Sequence, residues 1–169
     1  MAKVQESASD GQTGPRSQPS PMKAEKRLPT PPLSAAVEAF RKYAESFQSL
    51  DPKAIAAHFH EPALMVTPKG VQSLPDATAV EHAYARIMAE LPKQNYARTE
   101  FTSLREQLLS EDLVMITGWG TWIDKEGNGF MPFGLTYTLR RTKAGWKIVV
   151  ALIHGAEAYR LRPSQRPVS

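Results

Sequence analysis

From Leu33 to Leu91 the apolar residues recur at helical spacing, and from Tyr96 onward they recur at every second position. Leu33, Val37, Phe40, Ala44 and Phe47 stand three or four apart, which predicts an amphipathic helix starting near Thr30 with Pro31 at its first position. Asp51 before Pro52 is an N-cap signal, and Ile55 and Phe59 give a short second helix its apolar side until Pro62 closes it. Ala63 to Thr67 predicts a strand, after which Pro68, Lys69 and Gly70 turn the chain. Thr78 and Glu81 have capping-box spacing ahead of Val80, Tyr84, Ile87, Met88 and Leu91, so a third helix runs to Pro92.

The period of two then predicts four strands: Tyr96 to Leu109, Leu113 to Ile123, Phe130 to Arg141 and Trp146 to His154. Asn128 with Gly129, and Lys143 to Gly145, supply turns short enough for antiparallel hairpins. Met131, Phe133, Leu135, Tyr137 and Leu139 share one face of their strand. By the same parity Trp146, Ile148, Val150, Leu152 and His154 share the buried face of the last strand, leaving Val149, Ala151 and Ile153 for the other. Gly118 and Gly120 mark a bend or bulge. Helices first and a meander afterwards make an α+β layout, with helices over one sheet face.

Composition confines this fold to part of the chain. Residues 1–32 hold six prolines with Ser, Gln and Gly and almost no large apolar side chains, so a disordered tail is expected there, with Met22 as a candidate translation start. The domain spans residues 33–155, and a basic tail spans 156–169. The net charge of +4 is divided between the two ends, each terminal segment carrying +2, which leaves the domain near neutrality. That distribution does not make a groove for phosphates, and nucleic acid is not an expected partner. The absence of cysteine rules out disulfides, thiolate metal sites and a thiol nucleophile. No apolar run approaches the roughly 18 residues that span a bilayer and no signal-peptide pattern opens the chain, so a cytoplasmic protein away from membranes is expected.

Three phrases carry a resemblance to a known family: Leu50-Asp51 through Phe59 before Pro62, the strand Leu64 to Thr67 followed by Pro68 and Gly70, and Gly145-Trp146-Lys147-Ile148 opening the last strand. In order and spacing they resemble the nuclear transport factor 2-like superfamily, which includes SnoaL-like proteins and ketosteroid isomerases. The resemblance covers Leu33 to Gly155 and implies a cone, a curved antiparallel sheet closed by N-terminal helices in a cystatin-like roll around an apolar pocket. In ketosteroid isomerases a first-helix tyrosine donates to a substrate oxygen, a first-strand aspartate moves the proton, and a protonated aspartate is a second donor. Tyr43, eight residues before Asp51, has that tyrosine's spacing; Thr67 stands at the general-base position and Leu135 at the second aspartate's. A threonine does not accept a proton near neutral pH and a leucine has nothing to donate, so isomerisation by that mechanism is not expected.

The candidate catalytic pair is therefore Tyr43 with His154, and the candidate ligand-binding residues are Phe47, His58, Met65, Thr67, Trp119, Phe133 and Tyr137. Tyr43 borders the apolar stripe of its helix, where a tyrosine is otherwise a packed boundary residue. His154 stands at a strand end, where a backbone carbonyl or the solvent rim is the commoner partner of an imidazole. His58 and His60 do not form a metal pair, because an offset of two on a helix turns side chains about 200° apart. Trp119 and Trp122 lie on opposite faces of one strand, suited to a hydrophobic ligand or a partner subunit. No phosphate loop, serine nucleophile elbow or dinucleotide fingerprint occurs, and no cofactor is expected.

Two functions fit. One is a SnoaL-like pocket for a small hydrophobic or polycyclic molecule, with isomerase, dehydratase or cyclase-type acid–base chemistry by Tyr43 and His154. The other is a non-catalytic interaction module whose pocket is filled by its own side chains; a homodimer with a seam of Val149, Ala151 and Ile153 is expected under either function. An open pocket with Tyr43 and His154 converging favours the first, and a packed one the second.

Overall fold

Ser34 opens the first helix of the computed structural model, which describes residues 34–155; its Oγ accepts from the Val37 amide at 3.2 Å. The tails and the expected helix start near Thr30 and Pro31 lie outside the described residues. Helix α1 spans Ala35–Gln48 and buries Ala36, Val37, Phe40, Tyr43 and Ala44, the stripe that its spacing requires. Asp51 caps α2, Pro52–Ala56, by accepting from the Lys53 and Ala54 amides. This helix is shorter than the sequence implies. His58 sits in a turn, and strand β1 begins at Phe59 and runs to Thr67 through a cis Glu61–Pro62 peptide. Pro62 therefore lies inside a strand instead of ending a helix.

A short strand that the sequence pattern does not reveal, β2 at Gly70–Leu74, folds back on β1, with Gly70 at φ 140° in the turn, a backbone conformation open to glycine alone. Helix α3 spans Ala77–Glu90 and is capped by Asp76, whose side chain accepts from the Ala79 amide, in place of the expected Thr78. A single 3₁₀ turn then leads to β3, Tyr96–Ser110, β4, Leu113–Asp124, β5, Gly129–Thr142, and β6, Gly145–Gly155. The four long strands form the expected antiparallel meander. The six-stranded sheet has the order β2-β1-β6-β5-β4-β3, and β1 lies parallel to β6, so the sheet is mixed.

The helices cover one face of the curved sheet, and the core sits between them: Phe40, Ile55, Val80 and Tyr84 from the helices meet Ile116, Leu139, Ile148 and Ala151 from the strands. Two features decide which side chains reach that inner face. In β6, Thr138 pairs with Val150 but Leu139 pairs with Ile148, which makes Val149 a bulge residue. Beyond it the parity reverses: Ala151 is fully buried and Ile153 packs against the core, while Val150, Leu152 and His154 face outward. The expected buried set is thus right at Ile148 and reversed from Val150 onward, and the seam expected from Ala151 and Ile153 is not on the outer surface.

The second feature is close packing over glycine. β4 pairs with β5 without interruption from Leu113 to Trp122, so Gly118 and Gly120 are not bulge residues. The bulge lies opposite, between Phe101 and Ser103 of β3. A Cβ at Gly120 would stand 2.6 Å from the tip of the Phe133 ring, and one at Gly118 would stand 2.3 Å from the Ser103 carbonyl oxygen. The glycines make room where neighbours close over the strand.

Candidate functional site

Tyr43 of α1, Tyr84 of α3 and Tyr137 of β5 come from three elements to one point. The Tyr43 hydroxyl lies 2.9 Å from that of Tyr84 and 2.8 Å from that of Tyr137. The Tyr84 and Tyr137 hydroxyls also interact with each other, so the three form a mutual cluster of buried hydroxyls with Tyr43 making the two shortest links. All three phenols are buried, and burial is the first cause that holds each well above the ordinary value of 10.0; for Tyr43 the neighbouring Tyr84 adds to it. They are neutral donors across the physiological range.

Beside them opens a cavity of about 630 Å³, within the range of small-molecule sites. Tyr43 and Tyr84 line it, with Phe40, Phe47, Phe101, Trp122 and Phe133 as aromatic walls and Met65, Ile87, Met131, Leu135 and Ile153 as the larger aliphatic lining. Phe47 stacks on Trp122 with centroids 6.2 Å apart and planes at 22°, and Phe40 meets Phe101 edge-on at 5.6 Å. Thr67, Lys69, Gln72, Arg86 and Glu90 provide the polar end. The arrangement accepts an apolar ring and can donate a hydrogen bond to an oxygen on it.

Of the residues expected at the site, Tyr43, Phe47, Met65, Thr67 and Phe133 line this cavity. Tyr137 stands behind Tyr43 in the hydroxyl cluster. His58 lies outside the lining: its Nε2 is 2.9 Å from the Ser46 hydroxyl, and its ring meets Tyr43 edge-on at 6.2 Å. Burial, then Lys147 and Lys42, lower its pKa from the ordinary 6.5, which keeps the imidazole neutral. His60 Nδ1 is 3.1 Å from the Pro62 carbonyl oxygen, consistent with an imidazole engaged by backbone.

His154 and Trp119 are on the other side of the sheet. Their rings meet edge-on at 5.4 Å, and a Cβ at Gly134 would stand 2.0 Å from the His154 ring. With Ser103, Arg105, Thr117 and Thr136 they line a separate hollow of about 230 Å³. His154 therefore does not converge with Tyr43, because the Val149 bulge reverses its face, and Trp122 takes the cavity-facing role expected of Trp119. Phe40, Tyr84, Phe101, Met131 and Ile153 line the cavity as well, beyond the residues expected there. A signal for β4 is present: Trp122 shares parity with Val114 and Ile116, Trp119 with Thr117 and Thr121. Among the described residues no cluster of three or more acidic or histidine side chains is disposed to hold a metal, and no helix is long and apolar enough to cross a membrane.

The same architecture is found in solved structures. An NTF2-like protein with a cystatin-like fold from Novosphingobium aromaticivorans superposes with a TM-score of 0.60 at 15% identity, over 71% of this chain and 79% of that one. A protein of the NTF2-like family from Streptomyces avermitilis, provisionally named a dehydratase, gives 0.57 at 18% identity, over 71% and 92%. Aln2 from a Streptomyces species gives 0.61 at 20% identity, over 80% of this chain and 100% of that one. At such identities the likeness establishes the fold. No match is found among curated proteins. The family model described as NTF2-like protein (DUF6841) matches residues 34–156, the whole of the described domain, and the chain belongs to that family.

Proposed function

We propose that this protein binds a small apolar molecule, aromatic or polycyclic, that carries an oxygen acceptor at its buried end. The observation that carries the reading is the open, aromatic-walled cavity of about 630 Å³ with a neutral hydroxyl cluster, Tyr43, Tyr84 and Tyr137, beside it. In such surroundings a neutral hydroxyl turned toward the ligand orients a carbonyl or phenol and stabilises negative charge that develops on it. Isomerisation, dehydration or cyclisation of a carbonyl compound would use that donor, and the provisional dehydratase among the structural relatives supports this class. The proton acceptor is the weak point of a catalytic role. Thr67 cannot supply it, His154 faces away, and Glu90 is the one acidic side chain among the described lining residues. Binding is accordingly the primary reading and polarisation of the bound oxygen the secondary one. An open cavity favours both over the competing module with a filled pocket.

Thermal-shift and calorimetric titration with naphthols, tetralones and anthraquinones tests the proposal. Saturable binding is expected, weakened about fivefold by Tyr43→Phe, the worth of one net hydrogen bond. Absence of binding across the panel, or binding that Trp122→Ala leaves unchanged, overturns it.

A further inference from the structure

The polar end of the cavity has a sign. Lys69, in the turn between β1 and β2, and Arg86, on α3, both line it and both are exposed. Neither takes part in an ion pair among the described residues. Gln72 accepts from Arg86 Nη2 at 3.4 Å, which sets the guanidinium beside the β2 edge. The acidic side chain in the lining, Glu90, is already matched: its Oε1 lies 2.7 Å from Lys93 Nζ one helical turn on. The mouth therefore carries two cations with unspent donors, whereas the interior offers apolar rings and neutral hydroxyls.

We infer that the ligand is amphipathic, with an apolar ring body in the cavity and an anionic group, a carboxylate, held at the mouth by Lys69 and Arg86. This rests on the ligand-binding reading above and adds the charge and the orientation of the molecule. A neutral ring compound would leave both cations facing solvent at no gain. A carboxylate at the mouth accepts from the guanidinium fork and the ammonium, while its ring excludes water from the interior side of the pair. The same contacts orient the molecule, because the tyrosine hydroxyls can take an uncharged oxygen but offer no countercharge to an anion.

The experiment compares hydroxynaphthoic acid with its methyl ester by calorimetry on the full chain, at low and at raised salt. The acid is expected to bind about tenfold more tightly than the ester at low salt, two partly exposed ion pairs being worth about that much, and the advantage should shrink as salt rises. Lys69→Gln and Arg86→Gln should each lower the ratio of acid to ester affinity; both side chains are exposed, so folding is not at stake. Equal binding of acid and ester, or an advantage that survives the double substitution, overturns the inference while the apolar cavity stands. Failure of both compounds to bind overturns the cavity reading and this inference with it.

Discussion

The Tyr43 hydroxyl makes the two shortest links of a three-tyrosine cluster, 2.8 Å to Tyr137 and 2.9 Å to Tyr84, so its removal takes the nearest partner from two buried hydroxyls at once. Tyr43→Phe should therefore destabilise the fold by about 1–3 kcal/mol, with Tyr84→Phe and Tyr137→Phe each costing about 1 kcal/mol. Urea unfolding of the three variants checks the order. Equal losses at all three positions would mean that the Tyr84–Tyr137 interaction matches the two links that Tyr43 makes.

Alkaline titration follows from the same cluster. Each of the three phenols has a folded pKa raised above the ordinary 10.0 by burial. Their contribution to stability is thus fully present below pH 10.0 and is lost as pH rises toward the folded values, since the unfolded chain releases these protons first. Tyrosinate absorbance should rise together with loss of circular dichroism. Ionisation of all tyrosines in the intact fold near the ordinary value would contradict the burial.

His58 gives the acid counterpart. Its folded pKa lies below 6.5, so the unfolded state takes up its proton first as pH falls. Stability should drop as pH descends from 6.5 toward the folded value and level off beneath it. In His58→Gln that component of the melting-temperature profile should disappear, while the carboxylate-driven loss at lower pH stays. An unchanged profile would show that His58 is solvated.

The two glycines that carry aromatic neighbours separate the two sheet faces. Gly120→Ala drives a methyl into the Phe133 ring on the cavity side, and Gly134→Ala drives one into the His154 ring on the outer side. Both should cost about 1–3 kcal/mol by overpacking, but only Gly120→Ala should also weaken naphthol binding. A loss of binding in Gly134→Ala would place His154 on the cavity side after all.

Fluorescence distinguishes the tryptophans in the same way. A bound naphthoquinone should quench Trp122, which lines the cavity, and spare Trp119 across the sheet. Quenching should be largely lost in Trp122→Phe and kept in Trp119→Phe.

The helical stripe of α1, the Asp51 cap and the four long strands were legible because each rests on local periodicity or a local hydrogen bond. Tyr43, Phe47, Met65, Thr67 and Phe133 followed from those elements and from the family likeness. β2 escaped because Gly70–Leu74 is short and alternates weakly. His154 was misplaced for a different reason. Ile148 to Ile153 is apolar at every position, so parity has no polar residue to reset it and a surplus residue leaves no mark. Tyr84 was visible as a helix core residue, but its link to Tyr43 spans 41 positions and is a tertiary fact.

The bulge at Val149 leaves β6 with a choice of register that its own hydrophobicity does not make, since either face of the run is greasy enough to bury. The decision is made by size on the neighbouring strand. Ala151, with its single methyl, sits opposite Tyr137, and the bare backbone of Gly134 sits opposite the His154 ring. A slip of one residue would bring Val150 or Leu152 against the tyrosine and an isoleucine or a glycine to the vacancy over Gly134. These two small positions act as a combination lock, and what they secure is the identity of the wall that a ligand meets.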